Sequence, residues 1–245
     1  MGAMPEEIND LVACLTLNST QVIGQRTYYE GILWGKPVVI VFSRWGKVAA
    51  ATTVSTLILK FKVDQVIFTG VAGAIHDDLT IGDIVIAKQL YQHDMDARPL
   101  MAQFEIPLLN KTYFETTEQY ISLAANAVNL FLETISISIS ALAAFNIVNP
   151  KIHIGNIASG DKFFASHEDK LTLQKTLPHV LCVEMEGAAV AQVCYEFDIP
   201  CTIIRTISDS ANNEAHIDFQ KFINEISSKY SMGILKALLN TLSTL

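Results

Sequence analysis

Two short acidic segments combine residue types that can act on a small organic molecule. Glu184 and Glu186 flank Met185 inside an otherwise apolar stretch. Asp209 follows Arg205 at the end of another apolar stretch. A buried carboxylate is costly unless it is paired or hydrogen-bonded, and both of its oxygens can accept bonds from a vicinal diol. These positions therefore predict a binding site. The alternatives are that one glutamate caps the following helix and that Arg205 and Asp209 form a structural ion pair.

Two further segments have compositions typical of ligand-binding loops. Residues 69–74 are small enough for a ligand to approach the backbone closely, although a tight turn without a ligand favours the same residues. Residues 159–164 end in Phe163 and Phe164, and an aromatic ring there can stack on a flat heterocycle. The alternative is that both rings belong to the core. The acidic first turn at residues 6–7 suits the helix dipole and by itself indicates nothing more.

Strands and helices must position these residues, and the apolar patterns predict where they lie. Short apolar, β-branched runs next to turn residues predict strands at residues 38–42, 65–69, 83–89, 153–158 and 201–207. Helical spacing predicts helices at residues 47–60, 187–197 and 219–242. Gly70 is expected to end the second strand. The alternation predicts an α/β fold in a single domain, residues 1–245, with a central parallel or mixed β-sheet flanked by helices on both faces.

In such sheets, ligands bind beyond the carboxyl ends of the strands. The loops in question follow Phe42, Thr69, Ala158 and Ile207, and the unusual clusters lie at these loops. The sequence therefore predicts a ligand site at this edge of the sheet.

Composition excludes several classes of protein. Hydrophobic residues make up 50% of the chain and charged residues 17%, the opposite of a disordered chain. The formal net charge of −8 disfavours nucleic acid as a partner, because an acidic protein repels phosphate backbones. Residues 124–148 are apolar but interrupted by polar side chains, which predicts a buried helix rather than a membrane span. Residues 1–10 show no basic region followed by an apolar run, so no secretory signal is expected.

Cysteine and histidine positions indicate a reducing compartment and no metal site. Cys14, Cys182, Cys194 and Cys201 form no CxxC pair and lie in apolar surroundings. They are expected to be buried free thiols of a cytoplasmic protein. The histidines show no metal-ligand spacing with the cysteines or with each other.

Taken together and in this order, the segments resemble the 5′-methylthioadenosine/S-adenosylhomocysteine nucleosidases, which belong to the nucleoside phosphorylase and hydrolase family. Glu-Met-Glu combined with Ser-Asp is more specific than any single motif. The resemblance covers nearly the whole chain apart from roughly residues 115–150. The matching segments are residues 2–7, 46–50, 69–73, 93–94, 159–161, 183–186 and 205–209.

The resemblance implies that water breaks an N-glycosidic bond to adenine. Asp209, held in place by Ser208, would protonate N7 of adenine and make the base a better leaving group. Glu7, with Arg205 beside it, would orient and deprotonate the attacking water. Glu186 would bind the ribose hydroxyls and favour the positive charge on the sugar, since glycoside hydrolysis passes through an oxocarbenium-like state.

The same resemblance implies contacts that bind a small nucleoside substrate. Met185 would pack under the ribose, Phe163 would stack on adenine, and the backbone of Phe164 would read the edge of the base. Further contacts are expected from Glu184, Val71, Ala72, Gly73, Trp45 and Leu100. No metal or other cofactor is implied. The family usually forms a homodimer, in which a residue near Leu100 reaches the neighbouring subunit's site.

Two positions separate hydrolysis from phosphorolysis. Family phosphorylases hold phosphate with an Arg before the glycine segment and a Ser or Thr within it. The matching residues are Phe68 and Val71, neither of which can bind an anion. Water is therefore the expected nucleophile, and a phosphorylase and a non-catalytic nucleoside-binding protein are the alternatives. Near the expected 5′ pocket, Trp45 replaces a smaller apolar residue, so methylthioadenosine, adenosylhomocysteine, 5′-deoxyadenosine and aminodeoxyfutalosine all stay open as substrates.

Overall fold

Strands and helices alternate over most of the chain, as the sequence predicts. A computed structural model of the protein describes residues 1–134, 137 and 139–241. Its strands are β1 (Thr16–Ile23), β2 (Arg26–Leu33), β3 (Lys36–Ile40), β4 (Val66–Ala74), β5 (Ile84–Gln92), β6 (Phe114–Glu115), β7 (Ile152–Ser159), β8 (Val180–Glu184) and β9 (Cys201–Asp209). Its α-helices are α1 (Asn9–Ala13), α2 (Lys47–Phe61), α3 (Glu118–Glu133), α4 (Ile139–Ala143), α5 (His167–Thr176), α6 (Gly187–Glu196), α7 (Ala215–Phe222) and α8 (Ser228–Thr241).

Six strands form a central mixed sheet in the order β6-β5-β7-β8-β4-β9. Parallel pairs join β4 to β9 and β7 to both β5 and β8, whereas β4 and β8 are antiparallel. β9 also pairs with β5 in antiparallel orientation, so the sheet closes on itself. The predicted mixed sheet is confirmed, and the pairing of β4 with both β8 and β9 brings the ends of these three strands together.

A second, antiparallel sheet contains β1, β2 and β3. The first residues of the chain join it to the central sheet. The Gly2 amide donates to the Val41 carbonyl, and the Thr69 amide donates to the Met1 carbonyl, each at 3.1 Å. The sequence predicts only β3 of this sheet. β1 lacks the predictive pattern because most of its residues are exposed and it has no buried face with alternating apolar residues.

Helices pack on both faces of the central sheet, as expected of an α/β fold. On one face α2 packs against α6, and Ala50 and Val54 of α2 enter a core with Phe68 of β4. On the other face α3 packs against α8, and Val128 of α3 is buried with Ile84 of β5. Burial of each large apolar side chain contributes about 1.5–3 kcal/mol to stability. These two layers fix the central strands, and with them the strand ends that carry the acidic residues.

The prediction that Gly70 ends a strand is wrong, because β4 continues to Ala74. β9 supplies the hydrogen-bonding partners for the added residues, with Gly70 opposite Arg205. β9 itself also extends beyond its predicted end. Small residues are needed in this part of β4 because other side chains lie directly on it. A Cβ atom at Gly70 would lie 2.8 Å from Glu7 Oε1 and 3.1 Å from Arg205 Nη1.

Two predicted helices differ from the structure. The single helix expected at residues 124–148 is wrong, because α3 ends at Glu133 and α4 is a separate short helix. Thr134 donates its hydroxyl to the Leu130 carbonyl at 2.7 Å, a local bond that accompanies the end of α3. Residues 135, 136 and 138 lie outside the described residues.

The predicted carboxyl-terminal helix begins earlier, at Ala215, and a π-helical turn at Ile223–Ser227 joins α7 to α8. Its expected last residue, Leu242, lies outside the described residues. In the part of the chain that the structure describes, no helix is both long and apolar enough to cross a membrane.

Three of the four cysteines agree with their predicted environment. Cys182, Cys194 and Cys201 are buried free thiols. Cys14 is exposed, contrary to the prediction, because it lies at the carboxyl end of the short helix α1 at the surface. Within residues 1–134, 137 and 139–241, no group of three or more His, Cys, Asp or Glu side chains is placed to hold a metal ion.

Candidate active site

A pocket of about 500 Å³, which includes its open mouth, lies where β4, β8 and β9 end. All of the predicted site residues except Phe164 and Leu100 line it. The sequence reasoning missed four lining residues, which are Ala3, Met4, Val183 and Phe219. The first three lie within the matching segments 2–7 and 183–186, so the resemblance contained them. Nothing in the sequence distinguishes Phe219 from the other apolar residues of α7.

The two exceptions lie outside the pocket for different reasons. Phe164 is buried, and its ring packs edge-to-face on His93 with 5.2 Å between the centroids. Its side chain therefore belongs to the core, while that of the neighbouring Phe163 faces the pocket. Leu100 is 88% exposed in the connection between β5 and β6, so it makes no contact with the pocket of its own chain.

Glu184 and Arg205 form a buried ion pair at the base of the pocket. Arg205 Nη2 lies 2.6 Å from Glu184 Oε2, and the guanidinium stacks on the Phe68 ring at 4.1 Å. The Glu184 carboxylate also accepts hydrogen bonds from the Ser159 hydroxyl and from the Gly187 amide at the start of α6. Glu184 is thus the glutamate that caps the helix, and Arg205 is paired with it and not with Asp209. Its predicted contact with substrate has little support, since both oxygens are already occupied.

Glu7 ends an amino-terminal 3₁₀ turn at Pro5–Glu7 and is held over β4 by two backbone amides that precede this turn. Its Oε2 accepts from the Ala3 amide at 2.5 Å and from the Met4 amide at 3.1 Å. Burial raises the pKa of Glu7, and Arg205 together with these amides opposes that rise. The carboxylate therefore stands next to Arg205 with its other oxygen, Oε1, directed over Gly70. A group of this kind can accept a proton from a bound water.

Asp209 lies at the other end of the same stretch of β4. A Cβ atom at Gly73 would be 2.8 Å from Asp209 Oδ1, and an irregularity in the β4–β9 register falls just before Gly73. Such irregularities re-aim side chains, so Glu7 and Asp209 both line one pocket. Their supporting glycines are three residues apart, about 10 Å along a strand. That separation leaves room between the two groups for a glycosidic bond, with one group on the side of the base and the other on the side of the sugar.

The environment of Asp209 favours its protonated form. Burial raises the pKa of Asp209 to about 6, although bonds from the Ala211 amide and the Ser208 hydroxyl oppose the rise. Ser208 Oγ donates to Asp209 Oδ2 at 2.8 Å, and the Ala211 amide donates to Oδ1 at 2.9 Å. These two bonds fix the orientation of the carboxyl group. A fixed carboxyl group whose pKa is raised toward neutrality is suited to general-acid catalysis.

Glu186 is a third buried carboxyl group that lines the pocket. Its Oε1 accepts the Gly46 amide at 2.8 Å. Burial, and then the charge of Glu184, raises the pKa of Glu186 to about 8, whereas Arg205 and the Gly46 amide lower it. Because Glu184 and not Glu186 provides the capping bonds of α6, the second oxygen of Glu186 is available for a ligand.

Three aromatic rings border the pocket. Phe219 packs edge-to-face on Trp45 at 6.1 Å between centroids and on Phe163 at 5.4 Å. Trp45 is 56% exposed and Phe163 38%, so both rings stand at the entrance and leave flat faces open. Rings in this state can stack on a planar base or pack on a thioether.

The charges of the pocket are unsuited to a phosphate ion. Among the lining residues, Arg205 is the only cation in the described part of the chain, and Glu184 already neutralises it. Phe68 is fully buried beneath Arg205, and Val71 presents only methyl groups. An anion in this pocket would face three further carboxyl groups, those of Glu7, Glu186 and Asp209.

Known proteins match this chain over nearly its full length. It is 36% identical over 247 residues to the aminodeoxyfutalosine nucleosidase of Helicobacter pylori, which covers 99% of this chain and 97% of that protein. It is 34% identical over 235 residues to the 5′-methylthioadenosine/S-adenosylhomocysteine nucleosidase of Staphylococcus aureus, which covers 96% of this chain and 95% of that one.

A solved structure agrees with these sequence matches. The nucleosidase of the same name from Streptococcus pneumoniae, solved with a transition-state inhibitor, superposes with a TM-score of 0.84 at 35% identity and covers 98% of this chain and 97% of that one. The family model described as "Phosphorylase superfamily" matches residues 1–240. The resemblance and the nucleoside phosphorylase-like fold predicted from the sequence are therefore confirmed, and the chain belongs to the phosphorylase superfamily.

Proposed function

We propose that the protein hydrolyses the N-glycosidic bond of 5′-thio-substituted adenosines, methylthioadenosine and S-adenosylhomocysteine, to give adenine and the thioribose. The observation that carries this proposal is the placement of Glu7 and Asp209 over two glycines of β4, Gly70 and Gly73, where both side chains line one pocket. The names of the Staphylococcus aureus and Streptococcus pneumoniae relatives support the same substrates.

The leaving group departs with a proton from Asp209. The protonated carboxyl of Asp209 donates to N7 of adenine, so the electron pair of the breaking C1′–N9 bond enters a neutral base. Ser208 holds Oδ2 of Asp209 at 2.8 Å and keeps the carboxyl group aimed at the ring. General-acid assistance of this kind contributes about 10²–10⁴-fold to the rate. Phe163 stacks on the base, which fixes the position of N7.

Water completes the reaction at C1′. Glu7 accepts one proton of the water, and the remaining hydroxyl forms the new C1′–O bond as the sugar passes through an oxocarbenium-like state. Arg205 lies close enough to Glu7 to orient this water, and Glu184 holds Arg205 in place. In its ionised form, Glu186 binds the ribose hydroxyls over Met185 and stabilises the cationic sugar more in the transition state than in the ground state. Because the pKa of Glu186 is raised to about 8, the ionised fraction grows as the pH rises toward that value.

Hydrolysis is favoured over phosphorolysis by the charge of the pocket. A phosphate ion would find no unpaired cation among the lining residues that the structure describes, whereas a neutral water needs none. A phosphorylase is therefore the weaker candidate. A non-catalytic nucleoside-binding role leaves the paired placement of Glu7 and Asp209 without a use.

Aminodeoxyfutalosine is the second candidate substrate. The relative from Helicobacter pylori that is 36% identical to this chain bears the name of a nucleosidase for that compound. The chemistry at adenine and ribose would be the same, so Glu7, Glu186 and Asp209 do not separate the two activities. The difference lies in the 5′ substituent, which the Trp45 and Phe219 side of the pocket would contact.

We also infer that the active protein is a homodimer. Leu100 and Leu108 are each 88% exposed in the connection between β5 and β6. Large apolar side chains exposed in one segment mark an interaction surface, and the family resemblance places Leu100 near a neighbouring subunit's pocket. The molar mass measured by light scattering should be twice that of the chain, and Leu100→Asp should reduce it.

The central experiment follows adenine release from methylthioadenosine by chromatography, with and without inorganic phosphate. Adenine and free methylthioribose formed at the same rate in both reactions are expected. A requirement for phosphate, with a ribose 1-phosphate product, would establish the phosphorylase instead. Faster turnover of aminodeoxyfutalosine than of methylthioadenosine would favour the second candidate. Saturable binding without adenine release from any of these nucleosides would favour the binding protein.

A further inference from the structure

A ring of hydrogen bonds links the start of α2 to two loops beside the pocket. Lys47 Nζ lies 2.6 Å from Asp94 Oδ1. Asp94 Oδ2 accepts the Asp161 amide at 3.0 Å, and Asp161 Oδ1 accepts the Lys47 amide at 2.7 Å. These three residues, called the Lys47 ring below, join the start of α2 to the loops that follow β5 and β7. The reaction steps derived above use none of them.

Gly46, the residue just before Lys47 in the chain, contacts Glu186 directly. The Gly46 amide donates to Glu186 Oε1 at 2.8 Å. Gly46 has a φ of +92°, a conformation that only glycine adopts readily, and a Cβ atom there would lie 2.9 Å from Asp161 Oδ1. The amide therefore reaches Glu186 through one particular backbone conformation. The bonds of Lys47 to Asp94 and Asp161 hold the preceding residue, Gly46, in that conformation.

The ion pair in this ring is partly shielded from water. The Lys47 side chain is 17% exposed and that of Asp94 is 32% exposed. Burial opposes the charge of Asp94, but the bond from Lys47 and the Asp161 amide outweigh it and keep the pKa of Asp94 below its ordinary value. The Asp94 carboxylate therefore stays charged at neutral pH. Solvent screens this pair less than it screens a pair of fully exposed side chains, whose contribution is usually small.

We propose that Lys47 is a positioning residue that acts through Asp94 and Asp161 to hold the Gly46 amide on the Glu186 carboxylate. This inference rests on the proposed function only for the role of Glu186 toward ribose. Lys47 itself touches neither the reacting atoms nor the pocket.

The expected consequence is a change in the protonation of Glu186. The charged groups that act on this carboxyl are Glu184 of β8, Arg205 of β9 and Glu7 of the amino-terminal turn. Burial and the charges of the two glutamates disfavour the ionised form of Glu186, whereas Arg205 and the Gly46 amide favour it. Loss of the hydrogen bond from the Gly46 amide removes one of the two interactions that favour ionisation. The pKa of Glu186 should therefore rise above its value of about 8.

The test is a carboxyl titration by NMR of the full-length protein labelled with [δ-¹³C]glutamate. The Glu186 signal is assigned by its absence in Glu186→Gln. Lys47→Met and Asp94→Asn are each compared with the wild type. Lys170→Met serves as the matched control, since Lys170 is 12% exposed and pairs with Asp77 at 3.1 Å, a pair that is not part of the Lys47 ring. Circular dichroism confirms that each variant is folded.

A higher titration midpoint of Glu186 in Lys47→Met and Asp94→Asn, unchanged in Lys170→Met, is the expected result. An unchanged midpoint in a folded Lys47→Met protein overturns the proposal, as does an equal shift in Lys170→Met. Asp94→Asn keeps an oxygen for the Asp161 amide, so it should fold even where Lys47→Met does not. This readout needs no turnover, so it remains decisive if the proposed function fails.

Kinetics then connect the ring to the reaction. At a pH below the midpoint, each unit by which the Glu186 midpoint rises should lower kcat/KM for methylthioadenosine about tenfold. In the Glu186→Gln background, Lys47→Met should lower kcat/KM much less, because both changes remove the same interaction. Additive losses would show that Lys47 supports the fold in general and would overturn its positioning role. An inactive wild type with a shifted Glu186 midpoint would reject the proposed function and leave the positioning role standing.

Discussion

Arg205 Nη2 and Glu184 Oε2 are 2.6 Å apart, and both side chains are almost fully buried. The pair ties β9 to β8, while the Arg205 guanidinium covers the Phe68 ring of β4. The three strands whose ends form the pocket are thus joined by one arginine. Glu184 also caps α6, so a single carboxylate links the strand ends to the helix that follows Glu186.

Glu184→Gln should destabilise the protein strongly. It leaves the Arg205 charge buried without its partner, which typically costs about 3–5 kcal/mol. Urea unfolding at neutral pH measures the free energy of unfolding of the variant and the wild type. Asp96→Asn is the control, because Asp96 and Arg98 form an ion pair at a similar distance, 2.5 Å, on the exposed surface. A loss no larger for Glu184→Gln than for Asp96→Asn would contradict the role given to the buried pair.

Asp209→Asn should abolish most of the turnover and leave substrate binding largely intact. The amide has no acidic proton for N7, and loss of general-acid assistance lowers kcat by about 10²–10⁴-fold. Single-turnover rates with methylthioadenosine measure the chemical step, and equilibrium dialysis measures binding. Ser208→Ala is the comparison, since it removes one hydrogen bond to Asp209, at 2.8 Å, but keeps the acid. The single-turnover rate of Ser208→Ala should lie between that of the wild type and that of Asp209→Asn. A near-normal kcat in Asp209→Asn would assign the proton to another group.

The site was more predictable from the sequence than the details of the fold around it. Acids such as Glu186 and Asp209 stand out because a carboxylate in an apolar strand needs a specific partner or a ligand. The end of β4 was misplaced because glycine is read as a turn residue. At Gly70 the missing side chain instead makes room for Glu7 and Arg205, a contact between residues far apart in sequence.

The same limit applies to the partners of the predicted residues. The choice of Glu184 over Asp209 as the partner of Arg205 depends on how β8 and β9 sit in the sheet, and spacing along the chain carries no such information. Phe219 was missed because an aromatic residue at helical spacing is most often a core residue. Only the packing of α7 over the pocket shows that it contacts Trp45 and Phe163.

Asp209 should also make the stability of the protein depend on pH. Its pKa is raised from 3.8 to about 6 in the folded state, so the folded protein binds this proton more tightly than the unfolded chain. The stabilisation from the bound proton is complete below about pH 4 and is lost as the pH rises through about 6. Asparagine does not titrate, so the stability of Asp209→Asn should not fall with this proton as the pH rises.

Urea unfolding of the wild type and of Asp209→Asn at pH 4, 5, 6 and 7 tests this dependence. The variant should gain stability relative to the wild type as the pH rises, by at most about 3 kcal/mol for a shift of roughly two units. The difference should then stay constant above about pH 7. Curves that run parallel from pH 4 to pH 7 would show that burial does not raise the pKa of Asp209 in the folded protein.

Trp45→Ala should change the preference for the 5′ substituent with little effect on the chemical step. Trp45 lines the pocket beside Phe219 and takes no part in the proton transfers. Its loss should therefore weaken substrate and transition-state binding equally and raise KM with kcat nearly unchanged. An aromatic contact of about 0.5–1.5 kcal/mol corresponds to a KM increase of up to about tenfold for methylthioadenosine. S-adenosylhomocysteine has a larger 5′ group and should lose less, because the space left by the indole can accept it. The measurement is the ratio of kcat/KM for methylthioadenosine to kcat/KM for S-adenosylhomocysteine. Val48→Ala is the control, since Val48 is 80% exposed on α2 and does not line the pocket. Equal losses for both substrates, or a fall in kcat alone, would show that Trp45 does not contact the 5′ group.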